Sequence, residues 1–387
     1  MTFRLAFCKL IHYVGGLLLI ASLAASASDL RNTVYVGTYT EKDSRGIYAF
    51  RFDPDTGESG PLELAAETSN PSFLVVDPSG NFLYAVNELN IFDGNMTGAI
   101  SAYAANRESA KLSPLQQISS AGAGPAHISI DRSGRFVLVA NYDGGNIAVF
   151  PIGKDGRLGP RTAFVQHAGS SVNKERQSAP HAHQIGASID NRFVFVADLG
   201  IDELAVYRFD EKTGVLSPNR PAYAKVSAGS GPRHFAISPS GTFVYLVNEM
   251  SSTITAFNFD ASAGKLHEEQ TIPTLPNGFK GENTTAEIAV DKAGKFLYVS
   301  NRGDDSIVAF AISPRDGKLS FVERTPTGGK TPRHFALDPT GKWLFAANQD
   351  SGTINLFTVD ANSGRLTPTS HSIKVPSPVC VAFKTAN

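Results

Sequence analysis

Histidine, arginine and glutamate occupy four positions of a repeating pattern at which chemistry could take place: His183, Arg233, Glu249 and Arg302. An imidazole titrates near neutral pH, so His183 is the candidate general base for activating water. The two guanidiniums can grip a carboxylate or phosphate through forked hydrogen bonds and steady an oxyanion. The Glu249 carboxyl group could orient these groups or protonate a leaving oxygen. Such a set contains the groups that ester cleavage requires.

Three of these residues break the pattern in which they occur. At their positions His183, Glu249 and Arg302 differ from what most repeats carry, and structural repetition does not explain a departure. They are therefore candidate functional residues, and the alternative is a set of buried ion pairs that serves packing. By contrast, three histidines recur at one register, which indicates a mainly structural role. They are His127, His234 and His334.

The repeat is clearest in residues 231–249, GPRHFAISPSGTFVYLVNE, and related stretches start at Asn70, Gly124 and Thr331. Each contains two apolar strands joined by a Gly turn, further strands follow, and no helix-length amphipathic segment occurs after residue 27. Seven positions that close the second strand recur at spacings of 47 to 57 residues: Thr38, Asn87, Asn141, Asp198, Asn248, Asn301 and Asn348. Four short strands per repeat are typical of a propeller blade, so we predict an all-β, seven-bladed β-propeller.

The two ends of the chain are predicted to complete one blade together. The first repeat lacks an inner strand, whereas residues 378–383 (PVCVAF) match the inner-strand pattern of residues 71–76 (PSFLVV). We expect the C-terminal strand to pair with residues 34–38 in the N-terminal blade, because this pairing covers edges that an open ring would expose. The alternative is an open β-sandwich with a disordered tail, but such a tail would not need an apolar strand in this register.

One face of the propeller should collect polar residues from every repeat. A tight turn between antiparallel strands places the start of the first strand and the end of the second at the same sheet edge. The inner strands line the channel, so its mouth is predicted to carry a ring of polar and titratable side chains. The candidate substrate-binding residues are His181, Arg333, His234, Glu88 and Tyr142. The Asn residues that close the second strands are predicted to bond nearby backbone or a neighbouring blade.

The pair His181 and His183 is a possible metal site. Alternate residues of an extended strand project to one side, so the pair could ligate zinc. No third ligand is indicated nearby in the sequence, and Arg233 and Arg302 would place positive charge beside the ion. We therefore expect neither a metal nor a cofactor.

The N-terminal segment has the features of an export signal. Arg4 and Lys9 precede an apolar run, residues 13–25, which is too short to span a bilayer and is followed by a small-residue cleavage pattern. We expect residues 1–27 to be a signal peptide and residues 28–387 to form one propeller domain, exported to the periplasm or the extracellular space. An uncleaved anchor is the alternative, but no stop-transfer flank follows the run.

Composition narrows the classes of partner. The 387 residues include 42% hydrophobic and 18% charged residues, and the formal net charge is −1. This balance offers no basic field for nucleic acid and, after signal cleavage, none for a membrane surface. Cys380 lies in an apolar run and is interpreted as a buried small hydrophobe. The expected partner is a small molecule, and the oligomeric state stays open.

Three motifs resemble those of the seven-bladed propeller lactonases: LYAVNE at residues 83–88, GPRHFA at 231–236 and LYVSNR at 297–302. That family includes 6-phosphogluconolactonase and the carboxy-muconate lactonizing enzyme, and the resemblance covers residues 33 to 384. It implies a His, Arg, Glu and Arg set on one face, which falls on His183, Arg233, Glu249 and Arg302. It also implies a hydrolase that opens an anionic sugar lactone or a carboxylated lactone, the small-molecule lactone being its partner.

Two other functions stay open at this point. The same site could work in the direction of ring closure, as in a muconate-type lactonizing enzyme (a cycloisomerase). The propeller could also be a non-catalytic surface protein that binds partners. The polar cluster that breaks the symmetry of the repeats favours an enzyme, because a scaffold has no reason to keep it.

Overall fold

The computed structural model describes Thr2 and residues 32–41, 43–106 and 109–384. Apart from Thr2, the predicted signal peptide at residues 1–27 lies outside the described residues. Within these ranges all regular elements are β-strands. No helix long and apolar enough to cross a membrane occurs in this part of the chain.

The strands of the described residues follow one another at short intervals. In chain order they are β1 (Asn32–Thr38), β2 (Gly46–Phe52), β3 (Glu63–Glu67), β4 (Leu74–Val76), β5 (Phe82–Asn87), β6 (Ala99–Ala105), β7 (Leu112–Ser119), β8 (Pro125–Ile130), β9 (Phe136–Asn141), β10 (Asn146–Pro151), β11 (Ala163–Gln166), β12 (Ala182–Ala187), β13 (Phe193–Asp198), β14 (Glu203–Asp210), β15 (Val215–Lys225), β16 (Pro232–Ile237), β17 (Phe243–Asn248), β18 (Thr253–Asp260), β19 (Lys265–Pro273), β20 (Thr284–Val290), β21 (Phe296–Arg302), β22 (Ser306–Ile312), β23 (Leu319–Pro326), β24 (Pro332–Leu337), β25 (Trp343–Asn348), β26 (Thr353–Val359), β27 (Leu366–Lys374) and β28 (Pro378–Lys384).

These strands form seven four-stranded antiparallel sheets, which confirms the predicted seven-bladed β-propeller. Six blades consist of four consecutive strands each. The remaining blade has the order β28-β1-β2-β3, so both ends of the described chain contribute to it. In that blade β28 pairs with β1, from Thr33 opposite Lys384 to Thr38 opposite Pro378. The predicted closure of the ring by the C-terminal strand is therefore confirmed.

The hydrophobic core lies between blades. Seven clusters of buried apolar side chains in the described residues each combine the faces of two neighbouring blades. Between the last blade and the first, Phe52 packs edge to face on Trp343 and Phe345, with ring centroids 5.9 and 4.9 Å away. A four-stranded sheet cannot cover both of its faces alone, so burial of the apolar residues requires the closed ring.

A repeated hydrogen bond connects one blade to the next. The hydroxyl groups of Tyr84, Tyr245 and Tyr298 each donate to a glycine carbonyl in the following blade, at 3.0 Å in every case. The first acceptor is Gly156, whose φ is +80° and whose Cβ, if present, would lie 2.3 Å from a ring carbon of Phe82. Both the backbone conformation and the close packing require glycine at this position.

The residues that close the second strand of each blade are buried and hold the connections between blades. The Asn87 side chain donates to the carbonyl of Ser69 at 2.6 Å, and Oδ1 of Asn301 accepts from the Thr274 hydroxyl at 2.8 Å. Both partners lie between the outer strand of one blade and the inner strand of the next. These bonds confirm the structural role predicted for the asparagines.

Candidate active site

A repeated β-bulge at the start of the inner strands presents several candidate side chains. In four blades of the described chain, the ladder between the inner strand and its neighbour skips one residue. The skipped residues are Ala126, His183, Arg233 and Arg333. A bulge leaves its extra residue out of the ladder and re-aims the side chain. The local fold therefore turns one histidine and two arginines away from the regular alternation of the sheet.

A cavity lies where these bulges meet. It contains about 240 Å³ of empty space, the part open to solvent included. Its wall is formed by Ser72, Phe73, Glu88, Ala126, His183, Arg233, His234, Arg333, His334 and Val379. The cavity thus joins residues from blades that are far apart in sequence, as predicted from their shared sheet edge. Glu249 reaches this wall through Arg233, and Tyr142 reaches it through His183. Arg302 is connected to it through Glu249.

Glu249 directly follows β17 and holds three guanidiniums. Its Oε2 lies 3.0 Å from Nε of Arg233 and 3.0 Å from Nη2 of Arg302. Its Oε1 accepts a 2.8 Å hydrogen bond from Nη2 of Arg176. The contact with Arg233 is an ion pair and not a hydrogen bond. Nε of Arg233 lies within ion-pair distance of the carboxylate but has no hydrogen-bond partner in the described residues.

This arrangement decides the charge state of Glu249. Burial raises the pKa of the carboxyl group, but Arg302, Arg233 and Arg176 outweigh burial and hold the pKa at about 2. Burial and the charge of Arg302 lower the pKa of Arg233 to about 9, which still leaves it protonated at neutral pH. Glu249 is therefore a carboxylate that orients the arginines. This lowered pKa favours the predicted orienting role over the protonating one, and both roles stay predictions.

Strand β20 fixes the two arginines of the predicted set, Arg233 from the preceding blade and Arg302 from the same blade. Nη1 of Arg233 donates to the carbonyl of Ala286 at 2.6 Å, and Nη2 of Arg302 donates to the carbonyl of Thr285 at 3.0 Å. Both acceptors belong to β20. With the Glu249 contacts, these bonds hold each guanidinium from two sides, which pre-organises the positive charge.

His183 is 5% exposed and is surrounded by aromatic rings. The rings of Tyr142 and His234 meet it edge to face, with centroids 5.4 and 5.0 Å away. Burial lowers the pKa of His183 well below its usual 6.5, and the charge of Arg233 lowers it further. The imidazole is therefore neutral at neutral pH and able to accept a proton. An anion bound at the arginines would offset their charge and raise this pKa again.

Arg333 belongs to a second polar group. Its Nη2 donates to the Tyr39 hydroxyl at 2.7 Å, and that hydroxyl donates to Oε2 of Glu88 at 2.9 Å. The guanidinium carbon of Arg333 also lies 5.2 Å from the centroid of the Tyr39 ring. The tyrosine thus links the arginine and the carboxylate, both of which line the cavity.

His181 lies outside the cavity wall. Its ring stacks on Tyr142 with centroids 4.4 Å apart, and its Nδ1 lies 3.0 Å from the carbonyl oxygen of Tyr142. A carbonyl can only accept, so Nδ1 carries the proton. The contacts support the Tyr142 ring, which in turn touches His183. A direct role of His181 in substrate binding stays a prediction.

Arg176 was not singled out from the sequence. It lies in the connection between β11 and β12. Its Nη2 donates to the Tyr142 hydroxyl at 3.2 Å and to Glu249, the residues that directly follow β9 and β17. One signal could have drawn attention to this connection. The spacing of 57 residues between Asn141 and Asp198 is the widest of the series, which indicates an insertion.

The three histidines that share a register surround one aromatic ring. The centroid of Phe73 lies 4.2 Å from that of His127, 5.7 Å from that of His234 and 5.5 Å from that of His334. This packing supports the structural role predicted for them. His234 and His334 also belong to the cavity wall, and His127 does not.

The described residues contain no group of three or more His, Cys, Asp and Glu side chains placed to hold a metal ion. At the possible metal site formed by His181 and His183, Nδ1 of His181 donates to the carbonyl of Tyr142. His183 lies close enough to Arg233 for that charge to lower its pKa.

The fold and the site define a closed propeller with a pocket lined by arginine, histidine and glutamate side chains. The family model of lactonases with a seven-bladed β-propeller matches residues 33–383, and the chain belongs to this family. The resemblance inferred from the three motifs is thereby confirmed.

Relatives cover nearly all of the propeller. The 6-phosphogluconolactonase of Bacillus subtilis is 37% identical over 349 residues, which are 90% of this chain and 97% of that protein. The 6-phosphogluconolactonase of Formosa agariphila is 32% identical over 306 residues, 78% of this chain and 85% of that protein. The solved structure of a periplasmic gluconolactonase from Pseudomonas aeruginosa is similar with a TM-score of 0.86 and 35% identity, over 92% of this chain and 99% of that one.

Proposed function

We propose that the protein is a cofactor-independent lactone hydrolase that opens an anionic sugar lactone, of the kind for which its 6-phosphogluconolactonase relatives are named. The observation that carries the proposal is the excess of positive charge at the cavity. Four guanidiniums, those of Arg176, Arg233, Arg302 and Arg333, stand with the carboxylates of Glu88 and Glu249. Pre-organised positive charge in a buried site favours an anionic substrate and the oxyanion formed from it.

In the proposed reaction, His183 acts as the general base and the guanidiniums bind the anion and the oxyanion. A water oxygen attacks the lactone carbonyl carbon while His183 takes a proton from that water. The carbonyl oxygen becomes an oxyanion beside Arg233, and the carboxylate or phosphate of the substrate binds the other guanidiniums. The ring C–O bond then breaks and the ring oxygen takes a proton. Since Glu249 is ionised, this last proton must come from another group.

Removal of one guanidinium tests the anion preference. Arg302→Ala is expected to raise KM for phosphorylated aldonolactones by about 10-fold or more, because a charge-assisted hydrogen bond contributes about 1.5–3 kcal/mol. Neutral aldonolactones should change less. Initial rates on both kinds of lactone, with a chelator present throughout, measure the effect. Arg315→Ala is the matched control, because its side chain is 88% exposed and pairs with the adjacent Asp316.

The same panel separates the alternatives. If the wild-type protein opens no lactone, the non-catalytic surface propeller becomes the better hypothesis. Turnover only in the direction of ring closure would identify a lactonizing enzyme. Loss of activity on adding the chelator would point to a metal at His181 and His183.

Export is part of the proposal. It is supported by the signal-like pattern of residues 1–27 and by the periplasmic origin named for the Pseudomonas aeruginosa neighbour. Sequencing the N-terminus of the mature protein from the periplasm or the medium is expected to start at Ser28. Recovery of intact Met1 or Thr2 on a membrane-bound species would contradict cleavage.

A further inference from the structure

A buried carboxyl group beside the cavity contacts two imidazoles. Glu287, His234 and His334 are 7%, 2% and 7% exposed. Oε2 of Glu287 lies 3.0 Å from Nδ1 of His234 and 3.4 Å from Nε2 of His334. Oε1 of Glu287 accepts a 3.1 Å hydrogen bond from the backbone N–H of Ile288. At the register of His127, His234 and His334, Glu287 is one of four residues that are not histidine, so repetition does not explain it.

The hydrogen bonds assign the tautomer of His334. The backbone N–H of Val381 donates to Nδ1 of His334 at 3.3 Å. Nδ1 of His334 is therefore unprotonated, and the neutral ring carries its proton on Nε2, which faces Glu287. Ile288 donates to Oε1 of Glu287, and Nε2 of His334 lies 3.4 Å from Oε2 without a hydrogen bond, so the hydrogen bond between Glu287 and an imidazole is the one with Nδ1 of His234 at 3.0 Å. One proton can be shared across that contact.

His234 connects this carboxyl group to the cavity. Its ring lines the cavity wall, and its centroid lies 5.0 Å from that of His183. Its second nitrogen, Nε2, is buried and has no hydrogen-bond partner in the described residues. A buried polar atom without a partner is costly, so such an atom at a site calls for an explanation. A substrate oxygen is a partner that would satisfy it.

We propose that His234, backed by Glu287, is the proton donor to the ring oxygen of the lactone. The inference rests on the proposed hydrolysis. As the ring C–O bond breaks, the proton on Nε2 of His234 passes to the leaving oxygen, and Nδ1 takes the proton it shares with Glu287. The imidazole ends neutral, and Glu287 ends as a carboxylate that accepts from the N–H of Ile288 and faces Nε2 of His334 at 3.4 Å. His183 releases the proton taken from water to solvent. A proton from solvent then enters at Nε2 of His234 while the Nδ1 proton returns to Glu287, which restores both groups.

The electrostatics agree with this assignment. Burial raises the pKa of Glu287, and burial lowers that of His234. Both shifts favour a protonated carboxyl group next to a neutral imidazole, which is the state that can donate. The pair of His234 and Glu287 therefore has a proton to donate. Glu249, which is ionised by its three arginines, does not.

The fold contains an internal control for the pair. His127 occupies the same register as His234, and their ring centroids lie 5.5 Å apart. No carboxylate lies within ion-pair distance of His127 in the described residues, and the ring is not part of the cavity wall. A change at His127 thus removes a buried imidazole from the same ring of side chains and leaves the contact between His234 and Glu287 in place.

The variant Glu287→Gln distinguishes a role of Glu287 in proton transfer from a purely structural role. Glutamine keeps the volume and can hydrogen-bond both imidazoles, but its amide does not pass a proton to Nδ1 of His234. We expect kcat on the lactone that the wild type opens fastest to fall by roughly 10²- to 10³-fold, with KM changed by less than about threefold. His127→Gln should keep kcat within about threefold. Glu287→Asp, which retains a carboxyl group, should recover part of the lost kcat, and a purely structural role would not produce this split.

The outcomes distinguish the inference from the proposed function. If the wild type is active and Glu287→Gln keeps kcat within about threefold, the donor pair is refuted and the hydrolysis stands. Equal losses in Glu287→Gln and His127→Gln also refute it. If thermal unfolding shows that Glu287→Gln does not fold, His234→Gln against His127→Gln decides by the same criterion. A wild type that opens no lactone refutes the proposed function, and the donor pair with it.

Discussion

Replacing His183 with asparagine is expected to lower kcat/KM for the lactone substrate by roughly 10²- to 10⁴-fold, the usual contribution of a general base. Asparagine keeps a polar group between Tyr142 and His234 but cannot take a proton from water. The loss should appear mainly in kcat, because the arginines that bind the anion are unchanged. Steady-state kinetics on the panel of aldonolactones measure it.

The pH profile provides a second readout of the same prediction. Burial and the charge of Arg233 lower the pKa of His183, so the base stays deprotonated at pH values below its usual 6.5. The acid limb of kcat/KM in the wild type should therefore have its midpoint below that value. His267→Asn, on the outer strand β19, is the control and should leave both rate and profile unchanged. If His183→Asn keeps its rate within about tenfold, another group is the base.

Replacing Glu249 with glutamine is expected to lower the free energy of unfolding by on the order of 3 kcal/mol at neutral pH. The folded-state pKa of about 2 lies below the usual 4.5, so ionisation of this group stabilises the folded protein. Glutamine leaves Arg233 and Arg302 without their counter-charge in a buried site. Urea unfolding of both proteins measures the difference, and the substitution should also impair substrate binding because the guanidiniums lose their support.

The sign of the pH dependence makes this prediction specific. A lowered pKa stabilises the fold above pH 4.5 and loses that effect as pH falls through the folded-state value of about 2. The difference between wild type and Glu249→Gln should therefore narrow as the pH falls below 4.5. Glu63→Gln, which breaks a contact of 3.4 Å to Lys111 at the surface, is the control and should cost under about 1 kcal/mol. A difference that is constant with pH would contradict the ion-pair account.

The candidate site was partly predictable because the repeats have a regular geometry. A bulge at a constant register brings His183, Arg233 and Arg333 to the same edge, so aligning the repeats was enough to group them. Ion pairing was not predictable in this way. The distance between Glu249 and Arg302 depends on the angle and radial position of two blades and on the rotamers of long side chains, and none of these has a sequence pattern.

The ring itself was determined by the sequence alone: seven repeats, four short strands in each, and a C-terminal strand that pairs with the first blade. These features follow from alternating polarity and tight turns, which act over a few residues. Only the tertiary structure decided which charges compensate one another. Arg176 belongs to a connection outside the repeat, and Glu287 meets His234 across a blade boundary, so burial and contact between blades, rather than local pattern, set their chemistry.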